Sequence, residues 1–184
     1  FTDAKILESK CAGLLLKEDF DEVVLTSRKV LNVVDSKTFP HLWQSMIFAL
    51  IAREDFMEAE KSIASYKKIF VNSAMSDYGE LLQAFLKSYK GDFAGSLKIV
   101  KSFPDARIKG LSQDQMAMCL LVLGRCNLEC KDNVQAHIDL NKALNCANMP
   151  LLTAMALVEL AELDCRMKAV EALKKWQKKA ETIK

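Results

Sequence analysis

One short turn recurs along this chain at nearly even spacing, and it limits the chain to arrays of helix hairpins. The turn is a polar pair, often followed by an aromatic residue, between two stretches of helical periodicity. Its copies centre on Asp19, Asp55, Asp92 and Asp132, with a fainter copy at Arg166, so the steps are 36, 37, 40 and 34 residues. Repetition at this period is typical of stacked helix hairpins.

The stretches that flank each turn carry apolar residues at three- and four-residue steps. Two examples are Leu7, Cys11 and Leu14 before the first turn, and Ala59, Ile63 and Tyr66 after the second. This spacing predicts amphipathic α-helices, and each Asp is placed to cap the second helix of its hairpin. Asp55 with Glu58 three residues later fits a reciprocal capping box. Only 6 Gly and 3 Pro occur in 184 residues, which leaves little room for the tight turns of a β-sandwich.

The chain resembles the tetratricopeptide repeat family along essentially its whole length, most closely in its fourth and second units, whereas units one, three and five are degenerate. Unit four has Leu123-Gly124 in its first helix, then Ala136, Leu140, Ala143 and Leu144 in its second. Unit two has Trp43, Asp55-Phe56 and Ala59 at the places where the family has its Trp, its turn and a small residue. Unit one departs from the family pattern, with Cys11 in place of Gly and Val23 in place of Ala.

The resemblance implies an all-α fold, a right-handed solenoid of about five antiparallel helix hairpins. The units fall at about 1–36, 37–72, 73–108, 109–149 and 150–184, within a single domain over 1–184. The sequence begins at Phe1 without an initiator Met or a signal-like segment, so we expect a piece of a longer protein.

The resemblance also implies a binding surface. In the family, the first helices of successive hairpins line a concave groove that holds a peptide or a partner helix. Aligned on the turns, the groove positions of units two to four are His41, Gln44, Phe48, Ile51, Tyr78, Leu81, Phe85, Tyr89, Met118, Leu121 and Arg125. We therefore expect a non-enzymatic scaffold or adaptor that binds an apolar or amphipathic segment of a partner protein.

Two alternatives for these groove positions stay open. The groove can be filled by a neighbouring segment of the same protein, or a register shift makes the same residues part of the core. Some members of the family use a cluster of Lys, Asn and Arg side chains to hold the acidic tails of chaperones. We do not expect such a clamp in this chain. Its places fall on Glu8, Ala12, Ser45, Tyr78 and Leu82, and none of these matches.

The sequence has no recognisable catalytic or cofactor motif. The two histidines, His41 and His137, have no nucleophile motif beside them, and no Gly-rich phosphate loop is present. Cys119, Cys126 and Cys130 share a helix face and could take Cys146 or His137 as a fourth zinc ligand, but the short loop knuckles of zinc sites are missing. We expect no enzyme activity, no cofactor and no metal.

The cysteine positions and the distribution of charge indicate the compartment and restrict the classes of partner. Six cysteines at core-like helical positions favour free thiols in the reducing cytoplasm or nucleus. The longest apolar run, residues 46–52, is too short to span a membrane. Seven basic and two acidic residues lie within 166–184, whereas the whole chain has a net charge of only +2. This basic end, with Lys168, Lys174, Lys175, Lys178, Lys179 and Trp176, is either the solvated cap of the array or a nucleic-acid contact, which is the alternative function.

Overall fold

The structure is a computed structural model that describes the backbone of residues 2–71, 75–103 and 110–181, and the side chains among them except 2–4, 172–173 and 175–181. The described part is all-α, without strands. The unit boundaries expected at 72/73 and 108/109 lie at or within stretches outside the described residues. The helices are α1 (Thr2–Leu16), α2 (Phe20–Leu31), a 3₁₀ turn (Ser36–Thr38), α3 (Pro40–Ala52), α4 (Phe56–Ile69), α5 (Ser76–Tyr89), α6 (Phe93–Lys101), α7 (Gln113–Glu129), α8 (Asn133–Cys146) and α9 (Pro150–Glu181).

Four hairpins, α1–α2, α3–α4, α5–α6 and α7–α8, turn in the same way. The residue before each Asp has a positive φ: 60° at Glu18, 59° at Glu54, 79° at Gly91 and 64° at Lys131. The Asp N–H then donates to the carbonyl five residues earlier, as from Asp19 to Leu14 at 3.0 Å and from Asp132 to Asn127 at 2.9 Å. This is the Schellman closure of a helix C-terminus. The four turns predicted from the sequence are confirmed.

Three of the four Asp side chains cap the following helix. The carboxylates of Asp19, Asp92 and Asp132 accept from the backbone N–H three residues later, at 3.4, 2.9 and 3.1 Å. The Asp55 side chain makes no such bond, so the capping box expected there is wrong. The Glu58 carboxylate instead accepts from Lys61 Nζ at 2.9 Å and from the Arg28 guanidinium at 3.2 Å.

Each second helix packs against the first helix of the next hairpin, and the first helices also pack one against the next. Gly124 shows how close the paired helices come. A Cβ built there would lie 2.6 Å from the Leu140 side chain. One continuous apolar core runs from Cys11 in α1 to Ala156 in α9.

The fifth unit is a single helix rather than a hairpin. α9 continues without interruption from Pro150 to Glu181, so the turn expected at Arg166 is wrong. Arg166 lies inside the helix and pairs with Glu129 of α7 at 2.7 Å and with Glu162 at 2.5 Å. Arg166 stands where each of the other four turns has an Asp, and the helix continues through it. α9 contacts α7 and α8, and it also reaches back to α1.

Candidate partner-binding site

The first-helix face predicted from the sequence exists as one continuous series of contacts. The Phe48 and Phe85 rings lie edge to face, with 5.5 Å between their centroids, and Phe85 is 4.6 Å from Tyr89. The Arg125 guanidinium then lies over the Tyr89 ring, 3.9 Å from its centroid. Units two, three and four are therefore linked through α3, α5 and α7, and each step is a favourable aromatic or cation–π geometry.

This face is not an open groove. Phe85 is only 1% exposed, and the expectation that these side chains are free to meet a partner is wrong for most of them. The buried members are Gln44, Phe48, Ile51, Tyr78, Leu81, Phe85, Met118 and Leu121. Tyr89 and Arg125 are half-buried, and His41 alone of the predicted set is exposed.

The segment that covers the face is the first half of α9. Its Leu152 and Ala156 are buried in the same core as α3, α5 and α7. The segment is anchored at its start, where Asp114 Oδ1 accepts the N–H groups of Asn148 at 2.8 Å and Met149 at 2.9 Å. Most of the predicted groove positions are therefore core positions in this structure, and the first half of α9 is packed in the same core.

A partly buried ion pair joins the unit-four end of this face to α9. Arg125 pairs with Glu159 of α9, which is 4% exposed. Burial raises the pKa of Glu159, and the nearby Arg125 opposes that shift only in part. Glu159 Oε2 and Arg125 Nε have no hydrogen-bond partner among the described residues. Taking a carboxylate out of water is costly, so Glu159 depends on Arg125.

A cleft of about 270 Å³ stays open where α9 passes the ends of α1, α3 and α5. We call it the α9 cleft. Phe48 and Tyr89 lie in its wall beside the exposed apolar side chains of Leu16, at 49%, and Val158, at 67%. Its lining residues are Leu15, Leu16, Glu18, Phe20, Phe48, Ala52, Tyr89, Leu151, Ala154, Met155, Val158 and Glu159.

A second cleft, which includes two carboxylates in a mainly apolar lining, lies near the start of α9. His41 borders it, and its ring Nδ1 lies 3.0 Å from Gln44 Oε1. Gln44 in turn donates to the Tyr66 hydroxyl at 3.2 Å, which satisfies the amide inside the core. The charged side chains that line this cleft are Glu8 and Asp114. Two carboxylates make it a poor site for an acidic ligand.

The cysteines predicted to share a helix face do not converge on one point. Cys119 and Cys126 are buried, whereas Cys130 is exposed. Burial raises the pKa of the Cys119 thiol to about 11 and also raises that of Cys126. No group of three or more His, Cys, Asp or Glu side chains in the described part of the chain is arranged to hold a metal ion.

The structure describes only some side chains of the basic end. Lys168 and Lys174 are exposed on α9, and the side chains of Lys175, Trp176, Lys178 and Lys179 lie outside the described residues. None of the helices in the described ranges combines the length and the apolarity needed to cross a bilayer.

The sequence reasoning missed Glu159 and the covering role of α9. A signal was present, because Leu152, Ala156 and Leu163 set an apolar stripe and Glu159 lies on it. An acid on an apolar helix face suggests a buried partner of opposite charge. No family model, curated protein or solved structure matches this chain.

Proposed function

We propose that the chain is a non-enzymatic scaffold of the tetratricopeptide type, and that the α9 cleft binds an apolar or amphipathic segment of a partner protein. The observation that carries the proposal is the apolar surface left open there. Leu16 of α1 and Val158 of α9 are exposed in the lining of a cleft whose wall contains Phe48 and Tyr89. Concave apolar surface with aromatic walls is typical of sites that take a partner's side chains.

The four repeated turns and the close packing at Gly124 support the tetratricopeptide assignment. In that fold the first helices present a concave face, and here Leu152 and Ala156 of α9 are buried in the same core as these helices. The proposed partner segment therefore adds beside α9. Of the groove positions predicted from the sequence, Phe48 and Tyr89 are the ones that line the α9 cleft.

The size and charge of the α9 cleft restrict the partner. A volume of about 270 Å³ accommodates one or two large side chains, which matches the anchors of an amphipathic helix or a short extended segment. Glu18 is the exposed charged residue of the lining, so basic residues flanking the anchors would be favoured. The two carboxylates of the second cleft likewise disfavour acidic tails.

The test uses two cleft variants and a matched surface control. Val158→Glu and Leu16→Glu place a charge in the α9 cleft at exposed positions, so the melting temperature should stay near that of the original chain. Val33→Glu makes the same kind of change at a site that is 82% exposed and does not line the cleft. Proteins captured by the original chain and by Val33→Glu, but lost with both cleft variants, are the expected partners.

Affinity then decides between the proposed function and the nucleic-acid alternative. A segment of a captured partner should bind at least tenfold more weakly to Val158→Glu, and its binding should change little between 50 and 300 mM salt, because apolar burial supplies the affinity. Capture that survives both cleft variants and falls steeply with salt or with nuclease treatment would favour nucleic-acid binding through the basic end and would contradict the proposal.

A further inference from the structure

The α9 cleft and the second cleft lie in series along helices α1 and α9, which contact each other. On α1, Glu8 and Ala12 line the second cleft, and Leu15 lines the α9 cleft. These three residues follow at steps of four and three, so they share one face of the helix. Helix α9 passes the two clefts in the same order, because Pro150 lines the second cleft and Leu151 lines the α9 cleft.

Helix α3 repeats this arrangement. His41 and Ser45 line the second cleft, whereas Phe48 and Ala52 line the α9 cleft. Their steps of four, three and four residues also place them on one helix face. Three helices thus pass the two clefts in the same order, and we call the two clefts together the α1–α9 groove.

Four carboxylates line the α1–α9 groove, and no Lys or Arg side chain does so among the described residues. Glu8 and Asp114 line the second cleft, and Glu18 and Glu159 line the α9 cleft. The remaining lining is mainly apolar. The groove therefore combines apolar surface with acidic groups in both of its parts.

The bases near the groove leave much of this acidic excess in place. Arg125 neutralises Glu159 from the side of α7. Lys17 is exposed beside Glu18 and offsets part of its charge, but it lines neither cleft. Other bases next to the lining or close to it on α1 have partners elsewhere: Lys10 with Glu22, Arg53 with Asp21 and Lys90 with Glu60.

Two of the four carboxylates have a buried oxygen that accepts no hydrogen bond from the described part of the chain. These atoms are Glu8 Oε1, in the second cleft, and Glu159 Oε2, in the α9 cleft. Glu159 is 4% exposed, and Arg125 donates to its other oxygen, Oε1. A buried acceptor without a donor costs free energy, so both positions favour a ligand that brings donors.

We propose that the α1–α9 groove binds a basic amphipathic segment of a partner protein. The segment places an apolar anchor against Phe48 and Val158 and has a Lys or Arg at each end, one toward Glu8 and Asp114 and one toward Glu18. This inference rests on the proposed function and adds the charge pattern of the partner. Four carboxylates also disfavour the phosphates of a nucleic acid in this groove.

The positions of Glu8 and Glu18 specify the spacing of the two basic residues. The two acids are ten residues apart on α1, which corresponds to roughly 15 Å along a helix axis. A helical partner that lies along α1 would match them with basic residues ten or eleven positions apart. Eleven residues make about three turns, which returns both side chains to one face.

The test uses a display library of random 16-residue peptides selected on the chain. Ala154→Leu fills the α9 cleft without changing its charge, since Ala154 is a half-buried lining residue. The double variant Glu8→Gln with Glu18→Gln removes one charge from each part of the groove. Its matched control is Glu54→Gln with Glu171→Gln, at exposed positions that line neither cleft. Melting temperatures should show that all variants fold.

We expect selected peptides to carry two basic residues around an apolar anchor and to lose binding to Ala154→Leu. The Glu8→Gln and Glu18→Gln variant should bind them roughly fivefold more weakly at 50 mM salt, a modest loss because exposed ion pairs are individually weak. The loss should shrink at 300 mM salt, where charges are screened more strongly. The control variant should bind as the original chain does.

Replacing either basic residue of a selected peptide by Gln should reproduce the loss. Peptides that need the α9 cleft but tolerate these replacements and the Glu8→Gln and Glu18→Gln variant would overturn the inference and leave the proposed function standing. Peptides that respond to Glu18→Gln but not to Glu8→Gln would show that the second cleft takes no part, which overturns it as well. A selection that yields acidic peptides contradicts the charge pattern, and one without any binder sensitive to Ala154→Leu would overturn both proposals.

Discussion

The Phe48 and Phe85 rings meet edge to face, with 5.5 Å between centroids and 86° between planes, inside the covered first-helix face. Phe85 is a core residue that joins α3 to α5. We expect Phe85→Ala to lower the free energy of unfolding by about 3–5 kcal/mol, since a large buried side chain is lost and a cavity is left. Urea unfolding measures this. Leu25→Ala, at a residue that is 48% exposed, should cost much less. Equal losses for the two variants would contradict the core placement of Phe85.

The loss of stability that follows mutation of the Arg125–Glu159 pair should depend on pH. Removing Arg125 leaves Glu159 buried without its cation, so Arg125→Met should destabilise the fold by about 3–5 kcal/mol near pH 8. Glu159→Gln leaves no buried negative charge, and Arg125 keeps its contact with Tyr89. We therefore expect a smaller loss from Glu159→Gln.

The sign of the pH effect follows from the raised pKa of Glu159. The unfolded chain releases this proton near the ordinary value of 4.5, whereas the folded chain holds it to higher pH. Stability from this group is therefore lost as pH rises from about 4.5 through the folded pKa. The gap between Arg125→Met and Glu159→Gln should shrink as pH falls, because protonation neutralises the unpaired carboxyl. A gap that is constant between pH 5 and 8 would show that Glu159 is not the cause.

Two glycines should respond in opposite directions to the same substitution. A Cβ at Gly124 would lie 2.6 Å from Leu140 side-chain atoms and 3.3 Å from the Leu140 backbone N, so Gly124→Ala must force α7 and α8 apart. Around Gly13, nothing lies within 4 Å of the added Cβ. Gly13→Ala should stabilise α1 by up to about 1 kcal/mol from helix propensity alone. Thermal melts of both variants test this, and a Gly124→Ala variant as stable as Gly13→Ala would contradict the close packing.

The six thiols should react in separate classes. Cys130 and Cys165 are exposed and should react with a thiol reagent quickly at pH 8, whereas Cys11, Cys119 and Cys126 are buried and should react slowly. Burial raises the pKa of all three, and the thiolate is the reactive form. Native titration should show the fast class, and denatured titration without reductant should count six. A count below six would indicate a disulfide or a bound metal, which elemental analysis separates.

The turns were predictable because their physics is local. Asp19, Asp92 and Asp132 each cap the helix that follows, and a Schellman closure needs only neighbouring residues. The Arg166 turn failed for the same reason. Spacing alone suggested it, but its residues contain no capping side chain and no helix stop.

The openness of the first-helix face could not be predicted, because it depends on a contact between distant segments. Alignment on the turns correctly placed Phe48, Phe85, Tyr89 and Arg125 on one shared face. Whether that face meets water is decided by where α9 lies, and nothing in the individual repeats specifies its path. Glu159 was the only local hint, as an acid on the apolar stripe of α9.

The contact between α9 and α1 sets the order in which this protein can be completed during synthesis. In an open stack of repeats, each unit finds its neighbours as it emerges from the ribosome. Here the core that contains residues of α1, α3, α5 and α7 is completed by residues 150–163, which are translated after all four helices. Until then, a nascent chain carries Phe48 and Tyr89 without their cover. Closing this long loop raises the contact order and slows the last folding step, so this is the interval in which a chaperone would be needed most.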